Sequence, residues 1–569
     1  MRTVLVLCLL ASLVWAAPSD PAERFPSGAI AYMEARNLSG LADEVAESAL
    51  GRALQDHPQW KEMLRSKKGL QMLGGEAILK AQTGHNFKDL LQTLAARQTA
   101  VAVYVSPTSP EPRVIVATHV DVQRFKQLLD GVARMTNVEP RILEVGVDQR
   151  TVLWTFGDFA YYFLEGDMLV ASTEEDLVRA AYNRPEQNLA GLKSLQEARA
   201  AGPRRDRLFL FVDLQKIPLP PAEGAKAEDL GQALFLGALP RHVLQAPWAA
   251  ISLSVKADEA GGLELEIDGR VPKGTIPEEM KKAYGASLRP LPFALPERTI
   301  AVSRFSFDLK ETFAEREALI MEKALPGLTN FESVFQTISG GLSFVEEFLP
   351  ATGTGLTLVA ARQRFEDLAR PPEVKYPDFA LLLPLTDTEA VAPGIQGAFY
   401  NIIGIVNVQL GQKGQKGFLQ GSREYKGVTV HAARYYKPTE GEMEGRELLP
   451  PRYNFSPATA IVKDTLVLAS TERMIKDLID GLEGQDTAPP SAYMQFEIRA
   501  QAAEALQDNR EVLVADSMLK QGLDRKTAEA RFDGWMRALR TLRKLELVVD
   551  EKNEATGFRF RIQTGPEGS

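Results

Sequence analysis

The sequence predicts an α+β protein built by tandem duplication, in which each copy is a twisted antiparallel sheet with helices packed on one side. Residues 25–272 and 295–565 show the same succession of apolar strands and amphipathic helices. Residues 171–174 and 469–472 both read ASTE, and three apolar residues precede each. Short β-branched runs joined by turns indicate hairpins and meanders rather than parallel βαβ units. Self-similarity on this scale defines the architecture before any single motif is considered.

The N-terminus predicts export. Arg2 is followed by an apolar run over residues 4–15 and by small residues, which is typical of a signal peptide (1–16) cleaved before Ala17. The run is short for a membrane span. Cys8 is the only cysteine, so the mature chain can form no disulfide or thiolate site. Leu7 precedes it, where lipoprotein modification requires a small residue, and a cleaved secretory signal is therefore favoured.

The mature chain divides into three predicted segments. Residues 17–272 form copy one, 273–294 form a proline-rich linker, and 295–569 form copy two. Both copies open with a proline and a short strand, and a helical region follows. The residues at these two openings are Pro26, Ile30, Ala31 and Tyr32 in copy one, and Pro296, Ile300, Ala301 and Val302 in copy two.

The remaining elements are predicted in the same order in both copies. β-branched and aromatic residues at alternating positions indicate strands, and apolar residues at helical spacing indicate helices. In copy one, strands are predicted at 99–105, 113–118, 151–156, 159–164, 168–171, 208–212, 250–255 and 263–267, with a helix at 121–135. In copy two, strands are predicted at 356–360, 379–385, 428–433, 458–462, 465–469, 493–497, 545–549 and 558–562, with a helix at about 390–408.

The repeated ASTE corner favours a structural interpretation over a binding site. Ser172, Thr173 and Glu174 follow a strand and precede an apolar-periodic run, as do Ser470 and its two successors. A hydroxyl in this place caps free N–H groups, and an acid suits the positive end of a helix. Insertions fall between elements, and the largest, residues 437–452, is predicted to be an acidic loop.

Composition excludes some classes of function. Charged residues make up 25% of the chain and apolar residues 45%, which is typical of a globular protein. The formal net charge of −9 argues against a nucleic-acid partner, because phosphate recognition requires a basic face.

No catalytic, cofactor or metal-ligating set is predicted. The five histidines lack the spacing of a zinc site, and His431, on a strand, is more simply a core or surface residue. The five are His57, His85, His119, His242 and His431.

Three other patterns are weaker still. Gly411 to Gly417 is glycine-rich and basic, but it follows a predicted helix and lacks a P-loop ending, so a loop is expected. Ser517 and Lys520 have serine–lysine acyl-transfer spacing without its partner motifs. The acid pairs Glu278-Glu279 and Glu346-Glu347 are expected to be solvated.

Residues 391–410 form the most apolar long stretch after the signal and carry no charge. The stretch contains Pro393 and Gly394, and its counterpart in copy one is the charged helix around Lys126 and Asp130. A buried helix is therefore favoured, with a helix that lines a groove or an interface as the alternative; no transmembrane span is expected after signal cleavage.

The plan resembles an exported bacterial family known as a domain of unknown function, DUF3352. The resemblance rests on the opening at Pro26, Ile30, Ala31 and Tyr32 and on residues 169–174, LVASTE. It implies export from a bacterial cell, and it implies no activity, cofactor or site residue.

Three functions stay open. The sequence favours an exported, periplasmic or extracellular, non-catalytic protein that binds a protein or envelope partner through the duplicated scaffold. A carrier of a lipid or other apolar ligand is the second hypothesis, based on residues 391–410. A hydrolase with an unrecognised site is the third, and it would require Ser517, Lys520 and an acid to share one cleft.

Overall fold

The computed structural model describes most of the chain from residue 20 to residue 566. The described ranges are 20–67, 70–71, 74, 76–77, 80–81, 84, 86–94, 97–106, 109–146, 152–157, 160–202, 207–217, 245–257, 261–276, 278–284, 287–319, 322, 325–436, 438, 443, 447–484, 491–552 and 555–566. The predicted signal peptide, His85, His242 and most of the predicted acidic loop lie outside these ranges.

The described residues form two compact units. Of the described residues, the first unit contains those within 20–43, 67–217 and 247–254, and the second contains those within 44–66, 245–246 and 255–566.

Both units contain an antiparallel sheet. The first ten are β1 Ala31–Arg36, β2 Gln98–Ser106, β3 Ser109–His119, β4 Pro140–Val145, β5 Val152–Phe156, β6 Ala160–Glu165, β7 Met168–Ser172, β8 Leu208–Asp213, β9 Trp248–Ala257 and β10 Leu263–Pro272. The next ten are β11 Thr299–Phe305, β12 Leu356–Ala361, β13 Asp378–Pro384, β14 Phe418–Tyr425, β15 Val428–Tyr435, β16 Ala458–Val462, β17 Thr465–Ala469, β18 Ala492–Arg499, β19 Leu542–Lys552 and β20 Ala555–Thr564.

Helices lie between the strands. Those before β11 are α1 Leu38–Glu47, α2 Ala49–Gln55, α3 Pro58–Arg65, α4 Phe87–Leu94, α5 Val122–Thr136, α6 Glu175–Tyr182, α7 Lys193–Ala201 and α8 Glu278–Tyr284. Those after β11 are α9 Leu309–Ala314, α10 Arg316–Leu319, α11 Leu325–Ile338, α12 Thr388–Gln412, α13 Glu472–Asp480, α14 Gln501–Gln507, α15 Arg510–Gln521 and α16 Arg525–Arg540. The α+β prediction is confirmed.

The two units share a strand order. Hydrogen bonding in the first gives β9-β8-β1-β2-β3-β7-β6-β5-β4. The second gives β10-β20-β19-β18-β11-β12-β13-β17-β16-β15-β14, so nine of its strands repeat the first order with each number raised by ten. A duplication would give this arrangement, but the common origin of the halves stays a prediction, because strand order alone can arise independently.

Helices contact both faces of each sheet, whereas the sequence analysis predicts helices on one side only. In the first unit Tyr162 packs on Phe125 of α5, and the next residue, Phe163, packs on Tyr182 of α6. In the second unit Val467 joins the buried cluster beneath α13, and Leu466 joins the cluster beneath α12. Successive residues of a strand point to opposite faces, so strands that are apolar at every position require cover on both.

The predicted linker contributes to the core of the second unit. Residues 273–294 include α8, whose Met280 and Tyr284 pack with Phe305 and Phe307. Phe293 is fully buried beneath α13. The sequence did not predict this contribution, because the segment is rich in proline and its apolar residues follow no single period.

The repeated ASTE corner caps its helix differently in the two units. Thr471 is the N-cap of α13, and its hydroxyl accepts a hydrogen bond from the Met474 amide at 3.1 Å. The N-cap of α6 is Glu174, which makes no side-chain cap. There the Ser172 hydroxyl accepts a hydrogen bond from the Glu174 amide at 3.0 Å and donates one to the carbonyl of Val114. The corner is structural in both units.

Candidate functional site

The long apolar helix α12 begins at an Asp cap and lies on one face of the second unit's sheet. The Asp387 carboxylate accepts a hydrogen bond from the Ala390 amide at 3.1 Å. Val391 is fully buried and packs, with Ile395, in the cluster that contains Leu466. The Leu342 side chain packs closely on Gly394 of the helix. A Cβ added at Gly394 would lie 2.7 Å from that side chain.

The second half of α12 is held to strands β14 and β15 by side-chain hydrogen bonds. The Tyr400 hydroxyl lies 3.0 Å from Nδ1 of His431. The Asn407 side chain accepts from the Phe418 amide at 2.6 Å and donates to the Phe418 carbonyl at 3.0 Å. Burial lowers the pKa of His431, so its imidazole is neutral at neutral pH and serves as a structural partner of the tyrosine. These bonds fix α12 across the sheet.

Between α12 and the sheet lies an open-sided cavity of about 470 Å³. Its floor is five neighbouring strands, β11, β12, β13, β17 and β16, and Phe399 of α12 is its helical wall. In the described part of the chain, thirteen residues line it, of which eleven are apolar and two are serines. The volume falls within the range of about 300–1,000 Å³ that is typical of small-molecule sites.

Two side-chain polar groups of the described residues face this cavity. The Ser470 hydroxyl accepts a hydrogen bond from the Phe379 amide at 2.8 Å and keeps its own O–H as a donor. The Ser303 hydroxyl has no hydrogen-bond partner among the described residues. Among the described residues, no ionisable side chain lines the cavity. The arrangement can therefore bury an apolar body and offer two hydroxyls to a polar end, since pockets of this kind use few polar groups to orient a ligand.

The mouth of the cavity is apolar as well. Phe379 is 49% exposed and Leu468 is 39% exposed, although both lie on strands of the sheet interior. Large side chains on central strands are normally covered by a helix or a second sheet. Their exposure shows that α12 covers only part of this sheet face and leaves the cavity accessible from solvent.

The described histidines do not converge. His57 caps α3, with Nδ1 accepting a hydrogen bond from the Gln59 amide at 3.1 Å. His119 lies 3.0 Å from Asp167 through Nδ1, and His431 contacts Tyr400. Within the described ranges, no group of three or more His, Cys, Asp or Glu side chains could hold a metal ion.

Ser517 and Lys520 do not form a catalytic pair. Both lie on α15, where the Lys520 ammonium is 3.0 Å from the Asp516 carboxylate and 74% of its side chain is exposed. Leu519 beside it is 86% exposed. A serine nucleophile requires a base within hydrogen-bond reach in a sheltered cleft. This exposed helix face therefore gives no support to the hydrolase hypothesis.

The other sequence candidates have structural places. Residues 411–417 close α12, with the Gln415 amide bonded to the Leu410 carbonyl at 2.9 Å. Glu347 lies in a short π-helical turn, where its carboxylate accepts from the Ser343 amide at 2.7 Å. Glu278 begins α8 and pairs with Lys281.

Sequence reasoning found the helix of the cavity but missed its floor. Residues 391–410 were expected to be buried or to line a groove, yet only Val391 and Ile403 are buried in α12. The sequence predicts strands at Phe379 and Leu468, but it does not predict on which face of the sheet their side chains lie. Their outward position could have been suspected from the apolar residues at every position of residues 379–383 and 466–469, which require two covered faces.

Comparison with known proteins gives little further information. No family model matches the chain, and no curated protein matches it. Among solved structures, crystal form I of TP0453 is similar with a TM-score of 0.23 and 9% identity over 48% of this chain and 89% of that one. Crystal form III of TP0453 gives a TM-score of 0.24 and 10% identity over 48% and 90%. Similarity at this level supports no inference about fold or function. What the structure itself defines is an α+β chain of two units with an apolar cavity in the second.

Proposed function

We propose that this chain is a non-catalytic binding protein that holds an apolar small molecule, such as a lipid acyl chain, between α12 and the sheet of its second unit. The supporting observation is the cavity itself, which has a volume of about 470 Å³, no ionisable side chain among its described lining residues, and an apolar mouth at Phe379 and Leu468. An apolar occupant would remove those side chains from water, and this burial drives association.

Export through residues 1–16 is part of the proposal, and it rests on the sequence pattern alone. A bacterial envelope or extracellular location would place the protein where free apolar molecules need a carrier. The resemblance to the DUF3352 family and the hypothesis of a protein or envelope partner both stay predictions. The geometry favours the apolar ligand, because the cavity volume of about 470 Å³ lies within the range of small-molecule sites.

A filled-cavity variant tests this function. Ala360 lines the floor on β12, and a phenylalanine there would occupy the space of the ligand. We expect 1-anilinonaphthalene-8-sulfonate to bind the purified protein with enhanced fluorescence and to be displaced by palmitate. Ala360→Phe should weaken both interactions at least tenfold, because the apolar area that the ligand would bury is lost.

A matched control keeps the outcome interpretable. Ala390 is exposed in the first turn of α12, so Ala390→Phe adds the same ring outside the cavity. It should bind both probes as the parent protein does. Thermal unfolding of the two variants identifies any loss of fold. Equal binding by Ala360→Phe and the parent protein, with both folded, would place the probe elsewhere and refute the proposed function.

A further inference from the structure

The second half of α12 presents a row of aliphatic side chains to solvent, on the side away from the sheet. Ile402 is 45% exposed, Ile405 is 51% exposed and Val408 is 61% exposed. Residues three apart lie on the same side of a helix. Tyr400 and Asn407, which bond to strands β14 and β15, fix the other side. The row is therefore an outer surface of the folded unit.

Helix α11 contributes further exposed apolar residues beside this row. The Asn401 side chain donates a hydrogen bond to the Ile338 carbonyl at 2.8 Å, which joins the end of α11 to α12. Val334, one turn before Ile338, is 57% exposed, and Phe331 is 45% exposed. Large exposed side chains gathered on two contacting helices indicate a recognition surface rather than isolated surface residues.

Two unpaired lysines follow the row. Lys413 and Lys416 lie in the turn that closes α12, both are exposed, and neither ammonium has an ion-pair partner among the described residues. No acidic residue occurs between Ala390 and Gln412. The chain as a whole carries a formal charge of −9, so this apolar and locally basic end differs from the average surface.

We propose that Ile402, Ile405 and Val408, with Lys413 and Lys416, form a surface that docks on a lipid bilayer containing anionic headgroups. Helices that lie in the membrane interface insert an apolar face and place lysines against anionic lipid. By length and composition α12 is also the one described helix that could cross a membrane, with 22% of its most apolar stretch buried. Its bonds to β14 and β15 keep it on the fold, so docking on the surface is the mode that fits.

The residue types favour lipid over a protein partner. Protein interfaces draw most of their binding energy from Trp, Tyr and Arg, and valine is under-represented among such residues. The row on α12 holds only isoleucine and valine, with lysines beside it. This docking does not depend on the cavity, because its residues face away from the sheet while Phe399 of the same helix lines the ligand site.

Vesicle flotation with the purified full chain tests the docking. We expect binding to vesicles of phosphatidylcholine with phosphatidylglycerol, and several-fold weaker binding to phosphatidylcholine alone. Ile405→Asp should lower binding about tenfold by removing an inserted side chain. Lys413→Glu with Lys416→Glu should lower it on the order of tenfold or more and abolish the lipid preference, because each lysine contributes to the attraction.

Leu519→Asp and Lys520→Glu on α15 are the matched controls, since both residues are exposed on a helix. They should leave vesicle binding unchanged. Absence of binding by the parent protein would overturn the proposal, as would equal loss in the control variants. If Ile405→Asp instead abolishes self-association seen by sedimentation, and vesicles are not bound, the surface belongs to a second copy of the chain and the proposal is wrong. Because Ala360→Phe should bind vesicles normally, failure of the docking and failure of the cavity remain distinguishable.

Discussion

Replacement of Arg270 by methionine should destabilise the second unit strongly. The guanidinium lies on β10, is 3% exposed and donates to Asp268 through Nη2 at 2.7 Å. It also bonds Asp550 of β19 through Nη1. Asp268 and Asp550 are each 5% exposed, and Arg559 contacts both. The group is therefore neutral with two arginines and two aspartates, and the variant would leave one buried negative charge uncompensated.

The expected cost follows from that imbalance. Loss of one partner from a buried ion pair typically destabilises a protein by about 3–5 kcal/mol, because the remaining charge stays desolvated. That is a large part of a typical unfolding free energy of roughly 5–15 kcal/mol. Arg270→Met with Asp550→Leu restores neutrality and should recover at least about 1 kcal/mol relative to the single variant.

Urea unfolding followed by circular dichroism measures these differences. Arg525→Met is the surface control, because its guanidinium pairs with Glu511 and Glu529 but 62% of its side chain is exposed. The control should cost less than about 1 kcal/mol, as exposed pairs do. An equally small cost for Arg270→Met would mean that water reaches the buried group, and it would refute the reasoning.

Two further predictions concern close packing and pH. A Cβ at Gly557 would lie 1.9 Å from the carbonyl oxygen of Gly269 on the paired strand, so Gly557→Ala should lower the free energy of unfolding in urea by about 3 kcal/mol. Gly421→Ala is the control, and it should leave that free energy nearly unchanged because the space around Gly421 is open. Burial lowers the pKa of His57 below its usual 6.5, so its contribution to stability is present above about pH 6.5 and is lost as the pH falls through the lowered value. The fall in urea midpoint between pH 7.5 and pH 5.5 should be smaller in His57→Asn, which keeps a capping side chain without a titrating ring, and an unchanged pH dependence would contradict this assignment.

Much of the fold could be predicted from the sequence, because its strands show a clear apolar pattern or recur in the same order in both halves of the chain. The meander at residues 458–462 and 465–469 was predicted at its observed bounds, β16 and β17, since turn residues flank two short apolar runs. Strands β4 and β14 were missed. Five of the six residues of β4 and six of the eight of β14 are exposed, and an edge strand with little burial has no apolar alternation to detect.

The candidate site was only half predictable for a related reason. The uncharged stretch at residues 391–410 predicts a helix that packs on apolar side chains, and α12 spans this stretch. How much of the sheet that helix covers depends on its path relative to β13 and β17, which no local pattern encodes. Arg270, Asp268 and Asp550 are likewise ordinary charged strand residues in the sequence, and their burial follows from pairing between β10, β20 and β19.

Native mass spectrometry of the protein purified from its host tests the central claim most directly. The parent protein and Ala360→Phe would be compared intact and after extraction with an organic solvent. We predict an excess mass on the parent protein that is lost on extraction, identified in the extract as a lipid or other apolar molecule, and absent from the filled-cavity variant. A parent protein of bare mass that also fails to take up palmitate, or an excess mass retained by Ala360→Phe, would contradict an apolar ligand in the cavity beneath α12.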